Sequence, residues 1–134
     1  MVAVTPATAS VLLVEDHLEM RNALRDWLHR SLPPLRLFEA HTTDEALRLA
    51  AQATLDLALV NVELPGPNGI EAARELRRRY PECPVVVMSV HDSEALRLAA
   101  IDAGAAAFVC KRELTTGLLP ILDRLLKQAA RRAA

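Results

Sequence analysis

Aromatic residues are scarce in this chain: two Phe, one Trp and one Tyr make up 3% of it, against 51% hydrophobic residues in all. The core must therefore be aliphatic and alanine-rich, which suits helices packed on a buried sheet better than a β-sandwich. Cysteine is nearly missing. Cys83 and Cys110 form neither a disulfide framework nor a metal-ligand spacing, so they read as reduced thiols, with Cys110 buried. No apolar stretch of about 18 residues occurs, and Met1 to Ser10 carries no basic n-region. Membrane spanning and Sec-type export are therefore unsupported, and a cytoplasmic location is expected. An excess of one charge is also lacking. With 16 Lys and Arg against 17 Asp and Glu, the chain has no dense basic patch, so nucleic-acid binding by this domain is not expected. The cluster Arg77, Arg78, Arg79 reads as a solvated helix end, favourable beside the C-terminal dipole.

What is present fits one domain. A chain of 134 residues buries roughly two-thirds of its unfolded surface on folding and needs no staples. Short apolar runs recur at Val11 to Val14, Leu57 to Val62, Val85 to Met88 and Ala107 to Cys110, as expected of strands buried on both faces. A fifth candidate, Leu35 to Glu39, follows Pro33-Pro34, which must end the preceding helix. Helical spacing fills the gaps. One helix is predicted over about Leu18 to Leu32, with Asp16 as a candidate N-cap and Glu19 three residues on. A second runs over about Thr43 to Ala53 and opens on the capping box Thr42 and Glu45, and a third opens at Asn68 or Gly69. The fourth covers about Ser93 to Ala103, capped by Asp92 and closed by Gly104. The fifth starts near Thr116, with Pro120 tolerated only within its first turn. Five strands alternating with five helices predict an α/β domain with a parallel, doubly wound sheet. The expected bounds are a flexible N-terminus at 1–9, the domain at 10–127, and a tail or linker start at 128–134.

Ligand sites of open parallel sheets lie beyond the carboxyl ends of the strands. Glu15 and Asp16 follow the first run, Asn61 closes the third, Ser89 the fourth and Lys111 the fifth. This set, with VLLV before the acids, NVELPGPNG from Asn61 to Gly69, VVVMS ending in Ser89, and AFVCK carrying Phe108 and Lys111, resembles the receiver domain of bacterial two-component response regulators. VEDH, MSVHD and a lysine not followed by proline are similar to the helix-turn-helix-linked branch. The resemblance covers about Val11 to Leu126. It implies a single flavodoxin-like fold with sheet order 2-1-3-4-5 and no enzymatic turnover of its own. Its implied partners are a sensor histidine kinase or an effector protein, or a second copy through the fourth helix, fifth strand and fifth helix, with no membrane involved. Ser89 and Phe108 stand at its switch positions, and Ser89 and Lys111 at its phosphoryl-contacting positions.

One position departs from the pattern. Asn61 stands where the family carries its phosphoacceptor aspartate, and a carboxamide is no nucleophile towards phosphorus. The expectation is an atypical receiver that signals by protein contact without Asp phosphorylation. An ordinary receiver of a DNA-binding regulator, truncated and carrying an engineered Asp-to-Asn change at Asn61, is the alternative; the residues leave both open, as they do the choice between a stand-alone receiver and a piece of a longer protein. The implied Mg²⁺ site, Asp16 directly, Glu15 through water and the Val62 carbonyl, loses one carboxylate charge, so Mg²⁺ binding is expected to be weak or absent. Lys111, deprived of its anionic partner, is expected to turn to the Asn61 oxygen or to Asp16. His17 and His91 show no diagnostic metal spacing. A dinucleotide or nucleotide enzyme is disfavoured, since neither GxGxxG nor a P-loop occurs.

Overall fold

The computed structural model describes residues 8–133. Its elements run β1 (Ala9–Val14), α1 (Leu18–Ser31), β2 (Leu35–Ala40), α2 (Thr43–Gln52), β3 (Leu57–Asn61), α3 (Gly69–Arg79), β4 (Val85–Ser89), α4 (Glu94–Asp102), β5 (Ala107–Cys110) and α5 (Leu119–Ala133). The five strands form one parallel sheet in the order β2-β1-β3-β4-β5. The predicted fold class is thus the observed one.

Strand alternation splits the core into two layers. Leu12, Val14, Ala58, Val60, Val85 and Val87 face Ala46, Ala50, Ile70, Ala73, Leu76 and Ala100, from α2, α3 and α4. Val11, Leu13, Leu57, Leu59, Val86 and Met88 face Leu24, Leu28, Leu122 and Leu125, from α1 and α5. Small alanines dominate the first layer. They let three helices lie close to the sheet without aromatic filling, as the composition required.

Several caps fall where the sequence placed them. Thr42 Oγ1 accepts the Glu45 N–H at 3.1 Å, and Asn68 Oδ1 accepts the N–H groups of Ile70 and Glu71 at 2.9 and 3.1 Å. Gly104 follows α4 with φ of 97°, a conformation costly to any residue with a Cβ. Two caps differ. His17, not Asp16, caps α1, its Nδ1 accepting the Met20 N–H at 3.3 Å; the helix starts one residue later than an Asp16 cap would require, and Asp16 is left exposed. Ser93, not Asp92, caps α4, accepting the Leu96 N–H at 3.2 Å, while Asp92 pairs with Arg112.

The approach to α5 also differs from expectation. Lys111–Glu113 forms a 3₁₀ turn and Leu114–Leu118 a π-helical turn, so α5 begins at Leu119 rather than near Thr116. Pro120 has no amide and its ring crowds the carbonyl one turn back, so regular α-helix cannot run through Thr116; the wider turn absorbs the mismatch. At the other end α5 continues through the expected tail: Ala129 is buried, and Arg132 donates to the Glu82 carbonyl at 3.0 Å. Of the N-terminus expected to be flexible, residues 1–7 lie outside the described residues, as does Ala134, and Ala9 already pairs with Leu35. Among the described residues no helix is long and apolar enough to cross a membrane.

Candidate functional site

Parallel pairing brings the carboxyl ends of β1, β3, β4 and β5 to one edge, so Glu15, Asn61, Ser89 and Lys111 meet although they are far apart in the chain. Glu15 is fully buried. An unpaired carboxylate there would be costly, and three donors offset that cost. Lys111 Nζ donates to Oε1 at 2.5 Å, Asn61 Nδ2 donates to Oε2 at 2.9 Å, and the His17 N–H approaches the same oxygen at 3.4 Å. Lys111 therefore turns neither to the Asn61 oxygen nor to Asp16. Asp16 is exposed and water solvates it, whereas Coulomb attraction to the desolvated Glu15 is far stronger at this range.

Asn61 is 2% exposed. Its second amide hydrogen goes to the Glu63 carbonyl at 2.7 Å, and its Oδ1 is buried with no hydrogen-bond partner among the described residues. The amide thus points both hydrogens at oxygens and leaves a lone-pair oxygen unused.

Ser89, also fully buried, has partners that sequence reasoning missed. Its hydroxyl donates to Glu63 Oε2 at 2.9 Å, and Glu63 Oε1 accepts the Val90 N–H at 3.1 Å. The His91 N–H in turn donates to Ser89 Oγ at 3.0 Å. The available signal was an acid two positions beyond Asn61 at a strand's carboxyl end. Phe108 is buried beneath α4, where the Arg97 guanidinium sits 5.0 Å from its ring centroid, a cation–π contact, and leans on its carbonyl.

The expected metal set assembles only in part. The Val62 carbonyl accepts the Gly69 N–H at 2.9 Å, and the Val62 N–H donates to the Met88 carbonyl at 2.8 Å, so that residue's backbone is committed to loop and sheet. The carbonyl reaching the pocket is that of Glu63. In this arrangement the residues do not fit a hard dication. Both Glu15 oxygens hold donors, and the Glu63 carbonyl holds the Asn61 amide. Among the described residues no group of three or more His, Cys, Asp or Glu is placed to hold a metal ion.

A glycine sets how tightly the loop closes over the site. A Cβ on Gly69 would lie 1.9 Å from the Asn61 backbone oxygen and 2.9 Å from Val62 Cα, so only glycine admits this approach of α3 to the end of β3. A groove of about 520 Å³ lined by Ala50, Leu55, Tyr80 and Cys83 lies at the opposite, amino-terminal edge of the sheet, away from the polar cluster.

Residues 11–123 match the family model described as the response regulator receiver domain. The chain is 34% identical over 116 residues to the transcriptional activator protein ExaE of Pseudomonas putida, covering 87% of this chain and 54% of that protein. It is 38% identical over 102 residues to the KDP operon transcriptional regulatory protein KdpE of Escherichia coli, covering 76% of this chain and 44% of that protein. The chain spans about half the length of these curated relatives. The crystal structure of a LuxR-family two-component response regulator from an Aurantimonas species superposes with a TM-score of 0.84 at 31% identity, covering 91% of this chain and 87% of that one. A CheY-like receiver domain protein from Methanospirillum hungatei shares the fold, with a TM-score of 0.84 at 20% identity, covering 94% and 99%. With strand order, edge residues and these matches in agreement, the chain belongs to the response regulator receiver domain family, in the company of DNA-binding response regulators.

Proposed function

We propose that this receiver works in two-component signal transduction through protein contacts, without taking a phosphoryl group on residue 61. The observation that supports the reading is the buried Asn61 amide at the end of β3, donating to Glu15 and to the Glu63 carbonyl, at the residue where the motif resemblance puts the family's acceptor. Phosphoryl transfer depends on a positioned nucleophile and on cations that neutralise developing charge. A carboxamide supplies no nucleophile, and a pocket whose carboxylates already hold protein donors binds Mg²⁺ weakly or not at all. The domain has no catalytic turnover of its own.

The signal would leave through the surface of α4, β5 and α5. Leu98 and Ile101 on α4 are 58% and 57% exposed, with the small Ala95 exposed beside them, an apolar strip suited to an effector, a sensor kinase or a second copy. A partner that prefers one arrangement of this surface shifts the population towards it, with or without covalent change. A transcriptional output, as in the names of ExaE and KdpE, would belong to a longer parent protein, and the setting would be the cytoplasm.

The test is intact-mass measurement after incubation with Mg²⁺ and acetyl phosphate. The expected spectrum shows the unmodified mass alone; a phosphoryl adduct mapping to residue 61 overturns the proposal.

A further inference from the structure

The two oxygens of the Glu15 carboxylate hold different partners. Oε1 accepts from the Lys111 ammonium at 2.5 Å, and Oε2 accepts from the Asn61 amide nitrogen at 2.9 Å. A primary amine and a carboxamide, which can react with each other, thus flank one proton carrier. The sheet order β1-β3-β4-β5 makes this closer than two shared hydrogen bonds alone imply. To reach Glu15 at the end of β1, the Lys111 stem must cross the ends of β4 and β3, so its head arrives beside Asn61. Solvent is kept from all three groups: the side chains of Glu15 and Lys111 are 0% and 10% exposed, and Asn61 is 2% exposed. Among the described residues Asn61 Oδ1 has no hydrogen-bond partner, so the carbonyl end of this amide is held by nothing. Fixing an amine and its target in one enclosed site turns a sluggish bimolecular reaction into a unimolecular one.

We propose that Lys111, Glu15 and Asn61 form a self-crosslinking triad, which joins Lys111 Nζ to Asn61 Cγ in an isopeptide bond and releases ammonia. Glu15 Oε1 takes a proton from the ammonium, and the neutral amine attacks Cγ, pushing the carbonyl π pair onto Oδ1. Glu15 then gives its proton from Oε2 to Nδ2 and takes the surplus proton of Nζ on Oε1. The pair on Oδ1 re-forms the carbonyl, the Cγ–Nδ2 bond breaks, and ammonia departs with the Glu15 proton as ammonium. Nothing is oxidised or reduced, and no co-reactant is needed. Among the described residues no donor reaches Oδ1 to hold the charge of the tetrahedral adduct, so the reaction is slow. The freshly folded domain therefore holds the open cluster, and the bond accumulates with age. Once formed, it ties the end of β3 to the end of β5 and consumes the Asn61 amide.

The test ages the folded protein in neutral buffer, with no phosphoryl donor, and follows its intact mass over days before tryptic mapping. The expected result is a growing species lighter by one ammonia, which yields a branched fragment in which residues 49–74 are joined to residues 98–112. Lys111→Arg keeps the positive charge but lacks the amine nucleophile, so it should give no branched fragment. Glu15→Gln removes the proton carrier and should slow the reaction by about a hundredfold or more. The chain held unfolded in urea should not react, because only the fold assembles the triad. Aged folded protein that loses no ammonia overturns the proposal. So does a loss confined to the fragment 49–74, the mark of a succinimide at Asn61, or an equal rate in Glu15→Gln. If a variant does not fold, the branched fragment of the unsubstituted protein decides alone. A phosphoryl gain at residue 61 would end the proposed function and leave the crosslink standing, and a missing crosslink would leave the proposed function standing.

Discussion

Replacing Lys111 by Met removes the ammonium from a carboxylate that has no water to turn to. Glu15 is 0% exposed and Lys111 10%, with Nζ and Oε1 2.5 Å apart. Two unit charges near 4 Å interact by about 4 kcal/mol at an effective dielectric of about 20, and breaking a buried pair by removing one partner costs about 3–5 kcal/mol. The Asn61 amide still donates to Glu15 in the variant, which puts the loss near the lower limit, about 3 kcal/mol, or a fall in Tm of roughly 10 °C for a domain of this size. Glu15→Gln alone strands the ammonium less severely, because Lys111 has a flexible stem and reaches solvent. In the double variant the unpaired charge is gone, so the two losses should fall short of additivity by about 2 kcal/mol. Urea unfolding at neutral pH, followed by the fluorescence of Trp27, which packs against the α1–α5 side of the core, measures all three. A loss below about 1 kcal/mol for Lys111→Met, or strict additivity in the cycle, would refute a closed, buried pair.

Three further outcomes follow from the same geometry. Gly69→Ala, whose methyl would lie 1.9 Å from the Asn61 backbone oxygen, should destabilise the domain by about 3 kcal/mol, and an unchanged denaturation midpoint would contradict the close approach. Asn61→Asp places a second carboxylate beside Glu15, so it should lower the midpoint without Mg²⁺ and regain about 2.7 kcal/mol at a hundredfold excess of Mg²⁺ over its Kd; the unsubstituted protein should show no Mg²⁺-dependent change. Burial pushes the Cys83 thiol up from 9.0 to about 11. Because the folded state resists ionising this group, its contribution is complete below pH 9 and declines as the pH rises towards 11, where the unfolded chain releases its proton first. Cys83→Ala should flatten that part of the stability–pH curve, and an identical slope in both proteins would refute the assignment.

The fold was legible because its signals are local. Short unbroken runs such as VVVM, bounded by turn residues, read as central strands of a covered parallel sheet, and Thr42, Asn68 and Gly104 punctuate helices by the chemistry of their own side chains or backbone. Where a one-residue shift decides a cap, as between Asp16 and His17 or Asp92 and Ser93, both residue types can accept the helix amide and only the chain path selects. The onset of α5 was less legible. Pro120 does lie in the first turn, but the π-helical turn that precedes it leaves no periodic trace.

The polar cluster divides along the same line. Glu15, Asn61, Ser89 and Lys111 follow recognisable strands, so strand order alone gathers them. Their pairing does not follow from order, because burial decides it: Lys111 takes the enclosed Glu15 over the wet Asp16, and Val62 keeps its carbonyl for Gly69. Glu63 was invisible for a related reason. A loop acid has no periodicity, and its role exists only through Ser89 and Val90, brought near by the pairing of β3 with β4.

Asn61, on this account, withholds from the pocket the one group that could take a phosphoryl, and the Asp side chain alone is needed to restore it. Intact masses of this protein and of Asn61→Asp, recorded side by side after Mg²⁺ and acetyl phosphate, test that claim most directly. The predicted result is a phosphoryl adduct at position 61 of the variant and none on the unsubstituted protein. An adduct on residue 61 of the unsubstituted protein, or none on either, would contradict it.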